Sequence, residues 1–459
     1  MSAERSTGAK PLGLGLIGAG GFAAMVARSL ATLDTVRLCA VTDVDAHRAA
    51  RLAADHGARH LPDVQALLED EDVAVVVIST PPSTHCELTL SALAAGRHVF
   101  CEKPLATSVA DARAVVDAAE RTGLVVVVDH VLRHNPLLAA IKRLQDEVLG
   151  RPRRLLYEND ASDECLPPDH WFWDPDVSGG ILVEHAVHAF DAATWLMGSM
   201  PSHVQTTTAR RSGPSGFEDG LVDMVSTTAS HPGGAIATHT HSFTHASRCE
   251  RQLLRLDHGT AETTVHGWIP VDAHIDLWTD ESGATLVEQF VEDPGSLFAL
   301  AGCPPGPPPA GATAHVTVER DAGPAAARGR GADLHLPHHV IVDLSLGGED
   351  AKEEVYAASV RAAMADLVQC VGSAGTPRSG VVAAAAAVTV AVGATRAAVT
   401  GHTVSLLVPP PPILAPERVR GLASIANLSP ARMDNEAPDQ TQHEIDRETL
   451  SSQSAKERS

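Results

Sequence analysis

Three placements in the chain have the residue types and spacing of working chemistry. Glu184 and His188 stand four apart in "GGILVEHAVHAFD". That spacing puts a carboxylate and an imidazole on one helical face, where the first can orient the second and the second titrates near neutrality. Such a pair suits a general base. Lys103 follows the apolar run "HVFC" almost at once, in "VFCEKPLA"; an ammonium just past the end of a buried strand can stabilise negative charge developing on an oxygen. Gly18, Gly20 and Ala23 form G-x-G-x-x-A directly after "LGLGLI". Glycines there allow a tight turn and let a pyrophosphate approach the open N–H groups of the following helix. Taken alone the loop is equally an ordinary Gly-rich turn. Asp43 sharpens the reading: it ends the next apolar run 23 residues beyond Gly20, the spacing of a carboxylate that accepts from ribose hydroxyls and repels a 2′-phosphate. NAD is favoured over NADP, a preference that nearby Arg48 blurs. Asp45 has the position of a helix N-cap.

These residues need elements to hold them. Up to about residue 130, apolar runs at 12–18, 36–43, 73–80, 98–102 and 124–130 alternate with Ala-rich helical stretches. Near-continuous Val/Ile/Leu strands separated by helices predict an α/β doubly wound parallel sheet, a Rossmann domain over 1–130. Residues 131–149 add a helix that begins after Pro136. Over 131–408 the texture changes to strands of mixed polarity, "HVQTTTARR", "LVDMVSTTASH", "AIATHTHSF" and "RQLLRLDHG", with "PGG" as a turn. They predict an α+β domain with an open, mostly antiparallel sheet. Residues 301–333, dense in Pro, Gly and Ala, read as a long irregular insertion. Helical pattern returns at 350–372 and 379–397, "HTVSLL" adds a strand, and 409–459 is a Pro-rich, polar, disordered tail.

The net charge of −22, from 35 basic and 57 acidic side chains, works against partners whose phosphates must be neutralised, so nucleic acid and membrane surfaces are not expected. Seven cysteines show no CxxC pair, as expected of reduced thiols in the cytoplasm. The N-terminus has no signal-peptide run. Among 24 histidines, His239, His241 and His245 in "HTHSFTH" alternate along one strand face. Contact with a polar substrate on the open sheet face is favoured there over a metal, since no carboxylate or cysteine stands at ligand spacing. No metal is expected.

The segments "GLIGAGGFA", "VVVISTPPSTHCELTLSALAAGRHVFCEKPLA", "RHNPLLAAIKRL" and "GGILVEHAVHAFDAATWLMG" occur in this order across about residues 12–200. They give the chain a form that resembles the glucose-fructose oxidoreductase / inositol dehydrogenase / rhizopine catabolism (Gfo/Idh/MocA) family. The resemblance implies a two-domain oxidoreductase with a nucleotide-binding Rossmann domain and a substrate and oligomerisation domain, acting on a polyhydroxylated small molecule as a homodimer or homotetramer. Gly18, Gly20, Gly21, Phe22 and Ala23, with Asp43 and the loop residues Thr80, Pro81, Pro82 and His85, match its cofactor side. In that family the E-K-P lysine lies between nicotinamide and substrate, the place of Lys103; Glu102 orients that lysine or touches the cofactor. His188 matches the family's acid/base histidine, and Glu184 stands where an assisting aspartate is common. Asp191 matches a substrate-binding position. Arg133, with Asn135, either touches substrate or cofactor or braces the domain junction. His185 points to another face and reads as a packed or solvent-bonded histidine, and Trp171–Trp173 either cover a sugar-like ligand or anchor their loop.

The expected reaction is hydride transfer between nicotinamide and a hydroxyl or carbonyl carbon of a sugar, cyclitol or sugar derivative, with Lys103 and His188, assisted by Glu184, handling the proton. Two alternatives stand beside it: a glycoside hydrolase that uses NAD transiently, and a non-catalytic nucleotide-sensing regulator. Retention of both Lys103 and His188 argues against the regulator.

Overall fold

A computed structural model describes residues 10–162, 166–167, 169–210, 222–299, 311–323, 336–373 and 375–406. Six parallel strands form the first sheet: β1 (Leu12–Ile17), β2 (Val36–Thr42), β3 (Arg59–His60), β4 (Val75–Ile78), β5 (His98–Cys101) and β6 (Val126–Val128), in the order β3-β2-β1-β4-β5-β6. The chain reverses direction across the sheet between β1 and β4, the crevice where open α/β sheets bind ligands beyond their strand ends. β4 and β6 are buried at every residue, because helices cover both faces; that double burial is why their sequences run without polar alternation.

Ten strands form the second sheet: β7 (Arg154–Asp160), β8 (His203–Arg210), β9 (Val222–Ser230), β10 (Ile236–Ser242), β11 (Arg251–Asp257), β12 (Ala261–His266), β13 (Asp272–Thr279), β14 (Thr313–Glu319), β15 (His338–Ser345) and β16 (Val404–Ser405). Their order is β14-β15-β13-β12-β11-β7-β10-β9-β8-β16, antiparallel throughout except where β7 and β10 run together. β10 alternates between buried and more exposed positions, the pattern of a sheet with one covered face. The covered face takes the histidines: His239 and His241 are buried against Tyr157 and Phe190, while Ile236, Thr238 and Thr240 point the other way. The expectation that these histidines line the open face is thereby corrected. His245 falls beyond the end of β10, half-buried.

The Pro/Gly-rich stretch is also not irregular throughout. Thr313–Glu319, "TAHVTVE", pairs along its whole length with β15, because its period of two supplies an edge strand that the flanking prolines and glycines conceal. Residues 301–310 and 324–333 of that stretch and the tail at 409–459 lie outside the described residues.

Helices Lys352–Ser373 and Val381–Thr400 return to the first domain. The former packs on helix Gly21–Leu30, the latter on Val109–Thr122, Val187–Met197 and β8. Val381–Thr400 is long and apolar enough to cross a membrane by composition; its Ala-rich face instead lies in the protein core, with Ala384, Ala387, Ala391 and Ala394 fully buried.

Candidate active site

The glycine loop divides into structural and open positions. Gly18 has φ +102°, and a Cβ there would lie 2.1 Å from the Ser79 carbonyl oxygen, so the backbones of β1 and β4 approach too closely for any side chain. At Gly20 and Gly21 a Cβ would meet nothing within 4 Å. Gly20 caps helix Gly21–Leu30 with no side-chain hydrogen bond, leaving the first N–H groups of that helix available to an anion. Ala23 is fully buried against the sheet and Phe22 is 36 % exposed, its ring 6.3 Å from that of Tyr356. Asp43 closes the loop: Ala19 N donates to its Oδ2 at 2.6 Å and Asp45 N to its Oδ1 at 2.7 Å, with Arg48 Nη2 3.7 Å away. Asp45 is the helix cap expected of it. An open, uncapped helix start beside a fixed carboxylate fits the pyrophosphate and ribose of a dinucleotide.

Thr80, Pro81 and Pro82 leave β4 in a tight turn in which Thr84 Oγ1 donates to the Pro81 oxygen. His85 does not face the crevice. Its Nδ1 lies 2.6 Å from the Pro104 oxygen and its Nε2 2.8 Å from the Thr80 oxygen, so a fully buried ring ties the turn after β4 to the Lys103 loop, and its influence on a cofactor is positional.

Lys103 stands just beyond β5. Its Nζ donates to the backbone oxygen of Glu184 at 2.9 Å and to Glu184 Oε1 at 2.5 Å. This pairing replaces the expected one between Glu184 and His188. The helix is interrupted: Ile181–Glu184 ends, Val187–Met197 begins anew, and Ala186 N donates back five residues to Ile181. The widened turn rotates residue 188 away from residue 184, so the carboxylate serves the ammonium and leaves His188 Nδ1 buried without a hydrogen-bond partner. Burial, then the Lys103 charge, hold the His188 ring well below the ordinary imidazole range.

Aromatic side chains enclose these groups. Trp268, in the turn after β12, lies edge-on to His188 at 4.8 Å, and the His130 ring is perpendicular to His188 at 6.1 Å. His185 belongs to the same wall, hydrogen-bonded to Asn159 at 2.7 Å and packed on Phe243, His241 and Trp268; burial pushes its ring down to about 3. Trp173 and Phe172 extend the wall onto Phe243. The sequence offers no spacing signal for Trp268, Asn159, His130 or His130's neighbour Asp129, which come from distant segments.

Asp191 and Arg133 join each other: Arg133 Nε donates to Asp191 Oδ2 at 2.7 Å, and Arg133 Nη1 to the Arg378 oxygen at 3.2 Å. The arginine braces helix Val187–Met197 and the segment before Val381–Thr400. Asn135 caps helix Pro136–Leu144 and donates to the Pro270 oxygen. Among the described residues, no group of three metal-ligating side chains is placed to hold an ion. A cavity of about 160 Å³ between β1, β2 and helix Gly21–Leu30, lined by Leu14, Val26, Leu30 and Val77 with Arg37 and His56, is separate from Lys103.

Comparison with known proteins places the same residues in context. Residues 12–130 match "Oxidoreductase family, NAD-binding Rossmann fold" and residues 137–267 match "GFO/IDH/MocA C-terminal domain". The chain is 33% identical over 205 residues to a 1,5-anhydro-D-fructose reductase of Ensifer adhaerens, covering 43% of this chain and 60% of that one. It is 35% identical over 206 residues to inositol 2-dehydrogenase 2 of Saccharopolyspora erythraea, covering 44% and 58%. With a 4-carboxy-2-hydroxymuconate-6-semialdehyde dehydrogenase of Sphingobium sp. it shares 31% over 242 residues, 50% of this chain and 71% of that one. The chain thus spans less than two thirds of the first two relatives. In fold it is similar to a levoglucosan dehydrogenase solved with NADH and levoglucosan (TM-score 0.66, 16% identity, covering 87% of this chain and all of that one). An oxidoreductase domain protein of Kribbella flavida is similar to the same degree (TM-score 0.66, 20% identity, 87% and 100%).

Proposed function

The chain belongs to the GFO/IDH/MocA oxidoreductase family, and from that premise we propose that it is an NAD-dependent dehydrogenase or reductase of a polyhydroxylated small molecule: a sugar, a cyclitol or a derivative of one. The observation that carries this reading is the Lys103 ammonium, fixed by Glu184 at the C-terminal rim of the parallel sheet, beside a neutral buried imidazole. NAD, when bound, accepts or supplies the hydride at the substrate carbon. Gly20, Gly21 and the start of the following helix would hold its pyrophosphate, and Asp43 its adenosine ribose; a carboxylate at that place supports NAD over NADP.

The protein's own groups deal with the proton and the charge. An ammonium has three donors. Two of those on Lys103 go to the oxygen and the carboxylate of Glu184, and the third is left to bond the reacting oxygen and stabilise alkoxide character. His188, kept neutral by burial, takes the hydroxyl proton during oxidation, and its imidazolium returns it during reduction. Asp191, the expected substrate contact, acts through Arg133 as a brace. Polyol relatives and a wall of neutral histidines support an uncharged substrate rich in hydroxyl groups. Unpaired thiols at Cys39, Cys86, Cys101, Cys249 and Cys370 support a cytoplasmic location, and the exposed face of the second sheet supports assembly into a homodimer or homotetramer.

The test pairs Lys103→Met with His188→Ala, assayed for dinucleotide binding by calorimetry and for polyol oxidation by nicotinamide absorbance. Each variant should retain binding and lose turnover by about 10²- to 10⁴-fold. Near-normal turnover in either overturns the assignment, and sugar release without net NADH would favour the hydrolase alternative.

A further inference from the structure

The side chain before Lys103 is as unusual as the lysine itself. Glu102 is 7 % exposed and Asp129, just past β6, is 1 % exposed. Their backbones are fixed by the adjoining strands: Glu102 N donates to the Ile78 oxygen and Asp129 N to the Cys101 oxygen at 2.8 Å. The register of β5 with β6 pairs Cys101 with Val128, so the next residues on each strand, Glu102 and Asp129, leave the sheet side by side and each carboxyl acts on the other, yet Glu102 Oε1 and both oxygens of Asp129 have no donor. Cys101 does not serve them, because its thiol donates to the Glu102 backbone oxygen at 3.1 Å.

Two carboxylates this close and this dry cannot both be charged unless cations surround them. The cation acting on both is Lys103, and its ammonium is committed to Glu184. The other titratable groups around the pair are His130, Cys101 and, on helix His85–Ala94, His85 and Cys86. All are neutral by burial or are thiols held protonated, so none supplies a compensating charge. Thr89 Oγ1, buried beside Cys101, is uncharged. Burial first, then the neighbouring carboxyl, raises Glu102 well above the ordinary range, and burial pushes Asp129 up to about 7.

We propose that Glu102 and Asp129 share a proton, and that Asp129 is thereby a positioning residue for Lys103. With the proton held, the pair carries one negative charge and Lys103 stays on Glu184, its third donor free for substrate. Once the proton leaves, the doubly charged pair competes with Glu184 for the ammonium and draws it off the reacting oxygen. No bond to substrate is made or broken by the pair; a single O–H proton is exchanged with solvent. The shared proton stands on the burial of the pair and its place at the ends of adjoining strands, whereas its consequence for turnover rests on the role of Lys103 proposed above.

Infrared titration of the full chain without cofactor tests the proton directly. A carboxylic-acid C=O band should persist at neutral pH, disappear only on the alkaline side of neutrality, and be missing at neutral pH from Asp129→Asn, whose amide can donate to the Glu102 carboxylate. A wild-type protein with no such band at neutral pH, or a variant with the band unchanged, overturns the pair. In the kinetic arm, kcat/KM of the wild type should fall on the alkaline side of neutrality, and Asp129→Asn should flatten that fall. An alkaline limb identical in both proteins overturns the positioning role. If Asp129→Asn fails to fold, the wild-type band alone decides, and if no polyol is turned over the infrared result still stands apart from the proposed activity.

Discussion

Alanine placed at Gly18 and at Gly20 should have opposite effects, although the two glycines are separated by one residue. At Gly18 the φ of +102° and the 2.1 Å approach of a Cβ to the Ser79 oxygen oppose any side chain. The left-handed backbone costs about 1–2 kcal/mol, and the clash is with backbone of the neighbouring strand, which cannot turn aside; about 3 kcal/mol or more in total is expected. Gly20 has φ −73° and ψ −177°, which alanine adopts freely, and its Cβ would project into open space. Losing a favoured N-cap and gaining a stiffer unfolded chain roughly cancel, so stability should stay within about 1 kcal/mol of wild type. The added methyl would instead stand where the pyrophosphate meets the helix start. Loss of one charge-assisted hydrogen bond, about 1.5–3 kcal/mol, weakens NAD binding by about 10- to 100-fold. Thermal unfolding and calorimetric titration of both variants separate the effects. Gly18→Ala with an unchanged Tm, or Gly20→Ala with an unchanged Kd, would refute the division of the loop into structural and cofactor positions.

Asp191→Asn should act on stability: it removes the charge facing Arg133 in a site with no exposure at the aspartate, and stranding a buried ion costs about 3–5 kcal/mol. A denaturation midpoint like that of the wild type, with KM raised instead, would restore Asp191 as a substrate contact. Acid should also unfold the protein early. His130, His134, His185, His188, His239 and His241 are all held below the ordinary imidazole range by burial. The unfolded chain therefore binds their protons first, and stability falls below about pH 6.5 by about 1.4 kcal/mol per pH unit for each ring. Glu102, Asp129 and Asp366, raised in the fold, act in the opposite direction but are fewer than these rings. Urea midpoints that stay level from neutrality down to about pH 5 would contradict this balance.

Much of the site was legible because its parts are local. An apolar run ended by charge located Lys103 at the rim of a parallel strand, and Asp45 as a cap followed from its position before a helix. Glu184 was found for the right neighbourhood and the wrong partner: spacing assumes a regular helix, and the i→i−5 bond at Ala186 is decided by packing. The face taken by His239 and His241 was hidden for a related reason, since alternation shows that two faces differ but not which one is covered. Trp268 and Asp129 carry no signal at all. They reach Lys103 and His188 through tertiary contact between separate strands, as does β14, whose alternating residues stand between Pro- and Gly-rich flanks.

The central claim is hydride transfer to a dinucleotide at the Lys103 rim. The most direct measurement supplies NAD and a panel of polyols deuterated at every carbon, and determines the mass of the recovered cofactor. For each polyol oxidised, the account predicts one deuterium in the reduced cofactor per ketone formed, with the rate of transfer lowered about 10²- to 10⁴-fold in Lys103→Met. Ketone or sugar product formed without deuterium in the cofactor, or equal transfer by Lys103→Met, would contradict it.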